Sequence, residues 1–159
     1  MIYFAFVHSH LLYGIEVYAN TTKNHLTKLI TLNNKLLRIV QQKRNRTHTV
    51  ELYQNYSTLP IHLLHNYQIL VFVHKFVHHR SKLPPVLSEY FDENRVIHHH
   101  NTRQTNDFHI YSFYSEIGKR SIKFKGSKLW NNLPMNIKEI KSCPHFKSDL
   151  KSHLLRSLE

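Results

Sequence analysis

The chain has 159 residues, which suits one domain or two small ones with a real buried core. Its 41% hydrophobic content sets it apart from disordered chains, and only three glycines favour helices over a turn-rich β fold. Twenty-two Lys and Arg against ten Asp and Glu give a net charge of +12 with neutral His, which points to a polyanionic partner, most often nucleic acid.

Met1 to Val7 is apolar but lacks a basic leader and is interrupted by His8, Ser9 and His10, so it does not read as a signal peptide. Residues 3 to 19 read as one mostly apolar helix around Phe4, Val7, Leu11, Leu12 and Ile15. Asn20-Thr21-Thr22 is a polar break with a good N-cap, and a helix follows from about Lys23 to Gln42. Its stripe is Leu26, Leu29, Ile30, Leu36, Leu37 and Val40. A basic loop with Lys43, Arg44 and Arg46 closes it, and a short helix is expected from Val50 to Tyr56. Pro60 opens a further helix over Ile61 to His79, apolar on much of its circumference and therefore central. Pro84 and Pro85 end that region, with a short helix expected over Val86 to Phe91.

Residues 92 to 109 are polar and His-rich and read as a connection. Ile110 to Tyr114 and Ser121 to Lys125 are expected as short strands, with Gly118 in the turn; Ile122 and Phe124 alternate with Lys123 and Lys125. A final helix is expected from about Pro144 to Leu158, with Phe146, Leu150, Leu154 and Leu158 at four-residue spacing. No run reaches the roughly 18 apolar residues of a membrane span, so no membrane partner is expected. The single cysteine, Cys143, excludes an internal disulfide and a cysteine-based zinc finger, and suits an intracellular setting.

Two stretches carry a resemblance. The first is His8-Ser9-His10-Leu11-Leu12-Tyr13-Gly14-Ile15-Glu16-Val17-Tyr18, followed by Leu36-Leu37-Arg38-Ile39-Val40. The second is Asn101-Thr102-Arg103, then Ser121-Ile122, Gly126 and Leu129-Trp130-Asn131-Asn132-Leu133-Pro134. In this order they resemble the C-terminal tail of jockey-like, LINE-type non-LTR retrotransposon reverse transcriptases, with Tyr18 where that family often has Trp. The resemblance implies thumb and post-thumb territory, downstream of the carboxylates that hold the polymerase metals. It implies a non-catalytic fragment of an RNA-directed DNA polymerase, a nuclear or cytoplasmic location, and no catalytic residue in this chain.

The residues agree on chemistry. The only aspartates, Asp92, Asp107 and Asp149, are dispersed, whereas two-metal phosphoryl chemistry needs carboxylates converging on ions roughly 4 Å apart. His74 and His78 share a helix face at i, i+4, but a zinc site needs a third or fourth ligand. His98-His99-His100 could supply further ligands from a loop, but no metal or cofactor is expected. Cys143 has no His–acid partnership placed beside it, and Gly14, Gly118 and Gly126 form no phosphate loop.

Nucleic-acid contact is expected instead from Lys119, Arg120, Lys123, Lys125 and Lys128, which lie among Tyr111, Phe113, Tyr114, Phe124 and Trp130. As a strand, 121–125 would project Lys123 and Lys125 from one face and pack Ile122 and Phe124 on the other. Trp130 reads as a core anchor, and Arg103 as a structural ion-pair or cap residue. The loop of Lys43, Arg44 and Arg46 has two readings side by side: phosphate contact, or complement to the negative end of the preceding helix.

The expected fold is mainly α, with a small β element near residues 110–125. A thumb-like helical part spans 1–91, a connection 92–109, and a basic C-terminal part 110–159. The expected function is nucleic-acid binding (RNA or DNA) through phosphates. The alternative is an inert or self-associating remnant whose apolar N-terminal helix lacks its partner.

Overall fold

The computed structural model describes residues 2–87, 89–97 and 107–158. Among them the protein is mainly α-helical, with ten α-helices and no strand beyond an isolated bridge between Glu93 and Phe108. The chain divides into two compact units, Met1–Tyr67 with Leu150–Glu159, and Gln68–Asp149. The expected limits at residues 91 and 110 both fall inside the second unit.

In the first unit the N-terminal apolar segment is broken into pieces. Tyr3–His8 winds as a π-helix, α1 covers Ser9–Leu12 and α2 covers Ile15–Tyr18. Gly14 separates α1 from α2 at φ 65°, a left-handed conformation that costs glycine little and other residues more. The Tyr18 hydroxyl donates to the Leu11 carbonyl across that break, and Leu11, Ile15 and Ala19 are buried.

Helix α3 (Lys23–Val40) buries Leu26, Asn33 and Leu37, a stripe at seven- and four-residue steps. Helix α4 (Thr49–Asn55) supplies Leu52 and Tyr53, which form a core with Tyr3 and Leu37. An asparagine sits inside this apolar stripe because it is satisfied there. Asn33 Oδ1 accepts from the Tyr3 hydroxyl at 2.9 Å, and its Nδ2 donates to the Tyr53 oxygen at 3.2 Å. Tyr53 in turn donates to Asn34 Oδ1 at 2.6 Å, and burial pushes the Tyr53 phenol up to about 12.

Helix α5 (Ile61–His78) carries the expected central segment, and Ile69, Leu70, Val71, Val73, His74 and Phe76 are buried. Turns of 3₁₀-helix follow at Arg80–Lys82 and Pro85–Leu87, so the helix expected over 86–91 is reduced to a single turn. The second unit continues with α6 (Asn94–Ile97), α7 (Glu116–Arg120), α8 (Ile122–Asn131) and α9 (Met135–Lys138), and with the first half of α10 (Cys143–Arg156), whose residues from Leu150 on belong to the first unit. The core of the second unit is aromatic. Phe91 lies 5.1 Å from both Phe76 and Phe108, and Trp130 lies 6.0 Å from Phe146. His74 stacks on Phe146 at 4.0 Å.

The expected β element is absent. Ile110–Tyr114 pairs with no strand among the described residues, and Ser121–Lys125 opens a helix. Alternation over four residues fits a strand or the first turn of a helix equally, and the caps decide between them. Ser115 Oγ accepts from Gly118 N at 3.1 Å to start α7, and Ser121 Oγ accepts from Phe124 N at 3.2 Å to start α8. Gly126 has a packing reason: a Cβ there would stand 3.1 Å from both Phe91 and Val73.

Candidate nucleic-acid interface

The eight basic residues expected to contact phosphate fall in two places. Lys43, Arg44 and Arg46 occupy the loop between α3 and α4, in the first unit. The loop is tied down by Arg38, which donates to the Thr47 carbonyl at 3.2 Å, and by Gln41, which donates to the Leu52 carbonyl at 3.0 Å. Lys43 is spent on Glu51 at 3.2 Å. Arg44 and Arg46 are exposed and, among the described residues, have no carboxylate within ion-pair distance.

The other five lie on α7 and α8. Lys119 pairs with Glu116 at 2.7 Å on the surface. Lys123 is held more firmly: its ammonium lies 2.8 Å from Asp92 Oδ2 and 4.6 Å from the centre of the Tyr111 ring. The Tyr111 hydroxyl donates to the same carboxylate oxygen at 2.7 Å. The hydrogen bond from Lys123, then that from Tyr111, holds the Asp92 carboxyl below its ordinary range, and Asp92 raises both donors.

On a helix, Lys123 and Lys125 do not share a face as they would on a strand. Lys125 is partly buried and desolvation lowers its pKa. Lys128, three residues on, neighbours Lys125 and is exposed. Arg120 and Lys128, like Arg44 and Arg46, have no carboxylate partner among the described residues. The eight candidates thus sort into three engaged in ion pairs, one desolvated lysine and four unpaired cations. Arg103, and with it the Asn101-Thr102-Arg103 match, lies outside the described residues, as does His98-His99-His100.

In the second matching stretch Trp130, Asn131 and Leu133 are structural. Trp130 is buried against Phe108, Phe146 and His74. Asn131 makes a two-point clamp on the backbone of one residue: Oδ1 accepts from Phe108 N at 2.9 Å and Nδ2 donates to Phe108 O at 2.8 Å. Leu133 is buried, and Lys138 donates to the Asn131 carbonyl at 3.0 Å while pairing with Asp107 at 3.3 Å. Of the three aspartates, Asp92 and Asp107 are therefore committed to lysines.

The i, i+4 histidines do a job that sequence spacing does not disclose. His74, His78 and His79 each present Nε2 to a main-chain carbonyl, of Ile140 at 2.6 Å, Lys138 at 2.9 Å and Lys141 at 2.9 Å. A carbonyl accepts, so each Nε2 is the protonated nitrogen. The partners lie some sixty residues downstream and are backbone atoms, which leave no signature in residue types. Among the described residues no group of three or more His, Cys, Asp or Glu is arranged to hold a metal ion. No helix among them is long and apolar enough to cross a membrane. No family model, curated protein or solved structure matches the chain.

Proposed function

We propose that this protein binds nucleic acid through its phosphates and carries no catalytic step of its own. We read it as a non-catalytic piece of a non-LTR retrotransposon-type reverse transcriptase, on the ordered motifs set out above. The observation that carries the binding reading is that four of the candidate cations, Arg44, Arg46, Arg120 and Lys128, are exposed or partly exposed and have no carboxylate partner among the described residues, in a chain of net charge +12. Arginines suit this role because the guanidinium stays charged and presents a fork of donors to phosphate oxygens. With contacts to phosphate alone, affinity depends on salt and little on base sequence.

The test is binding of the purified chain to a labelled structured RNA and a DNA duplex across a salt series. Log affinity should fall linearly with log salt, by roughly 0.9 in slope per duplex phosphate contacted and less per single-strand contact. Arg44→Ala with Arg46→Ala, and Arg120→Ala with Lys128→Ala, should each flatten that slope. Lys123→Ala should change it least, since Asp92 already holds that charge. A folded chain that binds neither ligand at low salt would sink the reading.

A second reading rests on a different observation. Ile2, Phe6, Tyr13, Val17 and Leu32 are more than half exposed, and a cleft of about 450 Å³ lined by Phe6, Leu11, Leu29 and Leu36 lies in the first unit. Apolar surface of this kind marks interaction sites. On this reading the chain acts by self-association, and mass that rises with concentration would support it.

A further inference from the structure

The basic residues on α7 and α8 stand among five aromatic rings, and the fold uses four of them. Tyr111 donates to Asp92 Oδ2 at 2.7 Å and lies under the Lys123 ammonium. Phe113 meets Phe124 edge to face at 5.9 Å, and a Cβ on Gly118 would stand 2.6 Å from the Phe113 ring. Trp130 is buried. The fifth ring, Tyr114, is wholly exposed at 101%, and among the described residues neither its ring nor its hydroxyl has a partner.

Its position follows from the local sequence. From His109 to Tyr114 exposure alternates: His109, Tyr111 and Phe113 are half-buried, while Ile110, Ser112 and Tyr114 are exposed. Such alternation belongs to extended chain, whose successive side chains point to opposite sides. Asp92 holds Tyr111 inward and Gly118 makes room for Phe113, so Tyr114 is turned outward. Ser115 then caps α7. A residue just before an N-cap can staple the helix by packing on an apolar fourth residue. Here that fourth residue is Lys119, whose ammonium is on Glu116, so the fold has no such use for Tyr114.

The neighbours of Tyr114 point to an occupant. Ile117 is 82% exposed, and Arg120, three residues on, shares its side of α7 and has no carboxylate partner among the described residues. An open ring, an open apolar side chain and an unpaired guanidinium thus fall between positions 114 and 120. A nucleotide matches both kinds of surface, with a flat base for the ring and an anionic phosphate for the guanidinium. A duplex keeps its base faces inside the stack, so only an unpaired base can lie on the ring. A second copy of this chain fits less well, since it would bring a net charge of +12 toward Arg120.

We propose that Tyr114 is a stacking platform for an unpaired base, with Arg120 on a phosphate of the same strand, so that this protein takes single-stranded nucleic acid in preference to duplex. The assignment rests on the nucleic-acid reading and goes beyond it, because phosphate contact alone favours the duplex, whose charge is denser. Sequence preference stays slight, since every base has a face to stack.

The experiment uses the full chain and three labelled DNA ligands of one length: a single strand, an abasic strand with the same phosphates, and the duplex. Affinity is read by fluorescence anisotropy across a salt series. The parent chain should bind the intact strand about tenfold more tightly than the abasic one, and more tightly than the duplex. Tyr114→Ala should weaken binding to the intact strand about tenfold with the salt slope unchanged, and bind the abasic strand and the duplex as the parent does. Tyr114→Phe and Tyr114→Trp should keep the parent's affinity. Arg120→Ala should flatten the slope by about 0.7 on both single strands. The Tyr114 side chain is wholly in water, so its removal costs the fold little. The platform is overturned if Tyr114→Ala binds the intact strand as the parent does, or weakens the abasic strand equally. It is also overturned if Tyr114→Phe loses as much as Tyr114→Ala, which would assign the contact to the hydroxyl, or if the parent prefers the duplex. In each of these cases the nucleic-acid reading stands. A parent chain that binds none of the three ligands at low salt would sink that reading, and the platform with it.

Discussion

At the scale of single residues, the polar groups inside the two cores decide more than their number suggests. Asn131 stands in for a strand neighbour of Phe108, giving one donor and one acceptor to the two peptide groups that flank it. Asn131→Asp keeps the shape but removes the donor and sets an oxygen against the Phe108 carbonyl. Loss of about 2–4 kcal/mol of stability is expected, since a broken bond and an unpaired carbonyl add; urea unfolding checks it, and a change under 0.5 kcal/mol would deny the clamp its role. His74 makes a pH prediction. Burial lowers its pKa from 6.5, as burial and then the nearby Lys151 charge do for His8. The unfolded chain therefore takes up these protons first as pH falls. Stability should be full above about pH 6.5 and decline as pH drops through that value toward the lowered folded pKa values. Denaturant midpoints at pH 7.5 and 5.0 measure this, with imidazole resonances to assign the titrating rings. A midpoint that is level or higher at pH 5.0 would contradict it.

At the scale of elements, the long helices were legible because each shows its own period over many residues. Lys23–Val40, Thr49–Asn55, Ile61–His78 and Cys143–Arg156 all lie close to where apolar spacing and flanking Pro or Thr put them. Short segments were not, for a physical reason: four residues of alternation carry less information than one hydroxyl at a cap. Ser121 marks the start of α8, and reading it as an N-cap would have turned 121–125 from strand to helix and parted Lys123 from Lys125. Ser121→Ala should accordingly destabilise the fold by about 1 kcal/mol, read as a lowered thermal midpoint; Ser121→Asp should restore it, and an unchanged midpoint in the alanine variant would remove the cap from the account. The break at Gly14 was hidden by the apolar run around it, since the left-handed turn needs only the one glycine. Of the candidate interface, the identities of the basic residues were visible but their partners were not. Asp92 reaches Lys123 from 31 positions away, and no local pattern encodes that contact.

At the scale of the whole molecule, the high charge and the exposed apolar surface pull in opposite directions, and salt separates them. A chain of net charge +12 repels its own copies at low ionic strength, when its attraction to a polyanion is greatest. Raising salt screens that repulsion while weakening phosphate binding. The two readings of function therefore predict opposite responses to one variable. Sedimentation velocity of the chain alone in 50 mM and 500 mM salt should show a single species at the lower value and added mass at the higher if the exposed Phe6 and Leu32 drive self-association. Phe6→Ser with Leu32→Ser should abolish the added mass with little cost in stability, since both side chains are already more than half in water. The same double variant should bind RNA as the parent does, because neither residue carries charge. Loss of RNA binding in that variant would mean that the apolar face and the cations act as one surface, and the two readings would then merge into one.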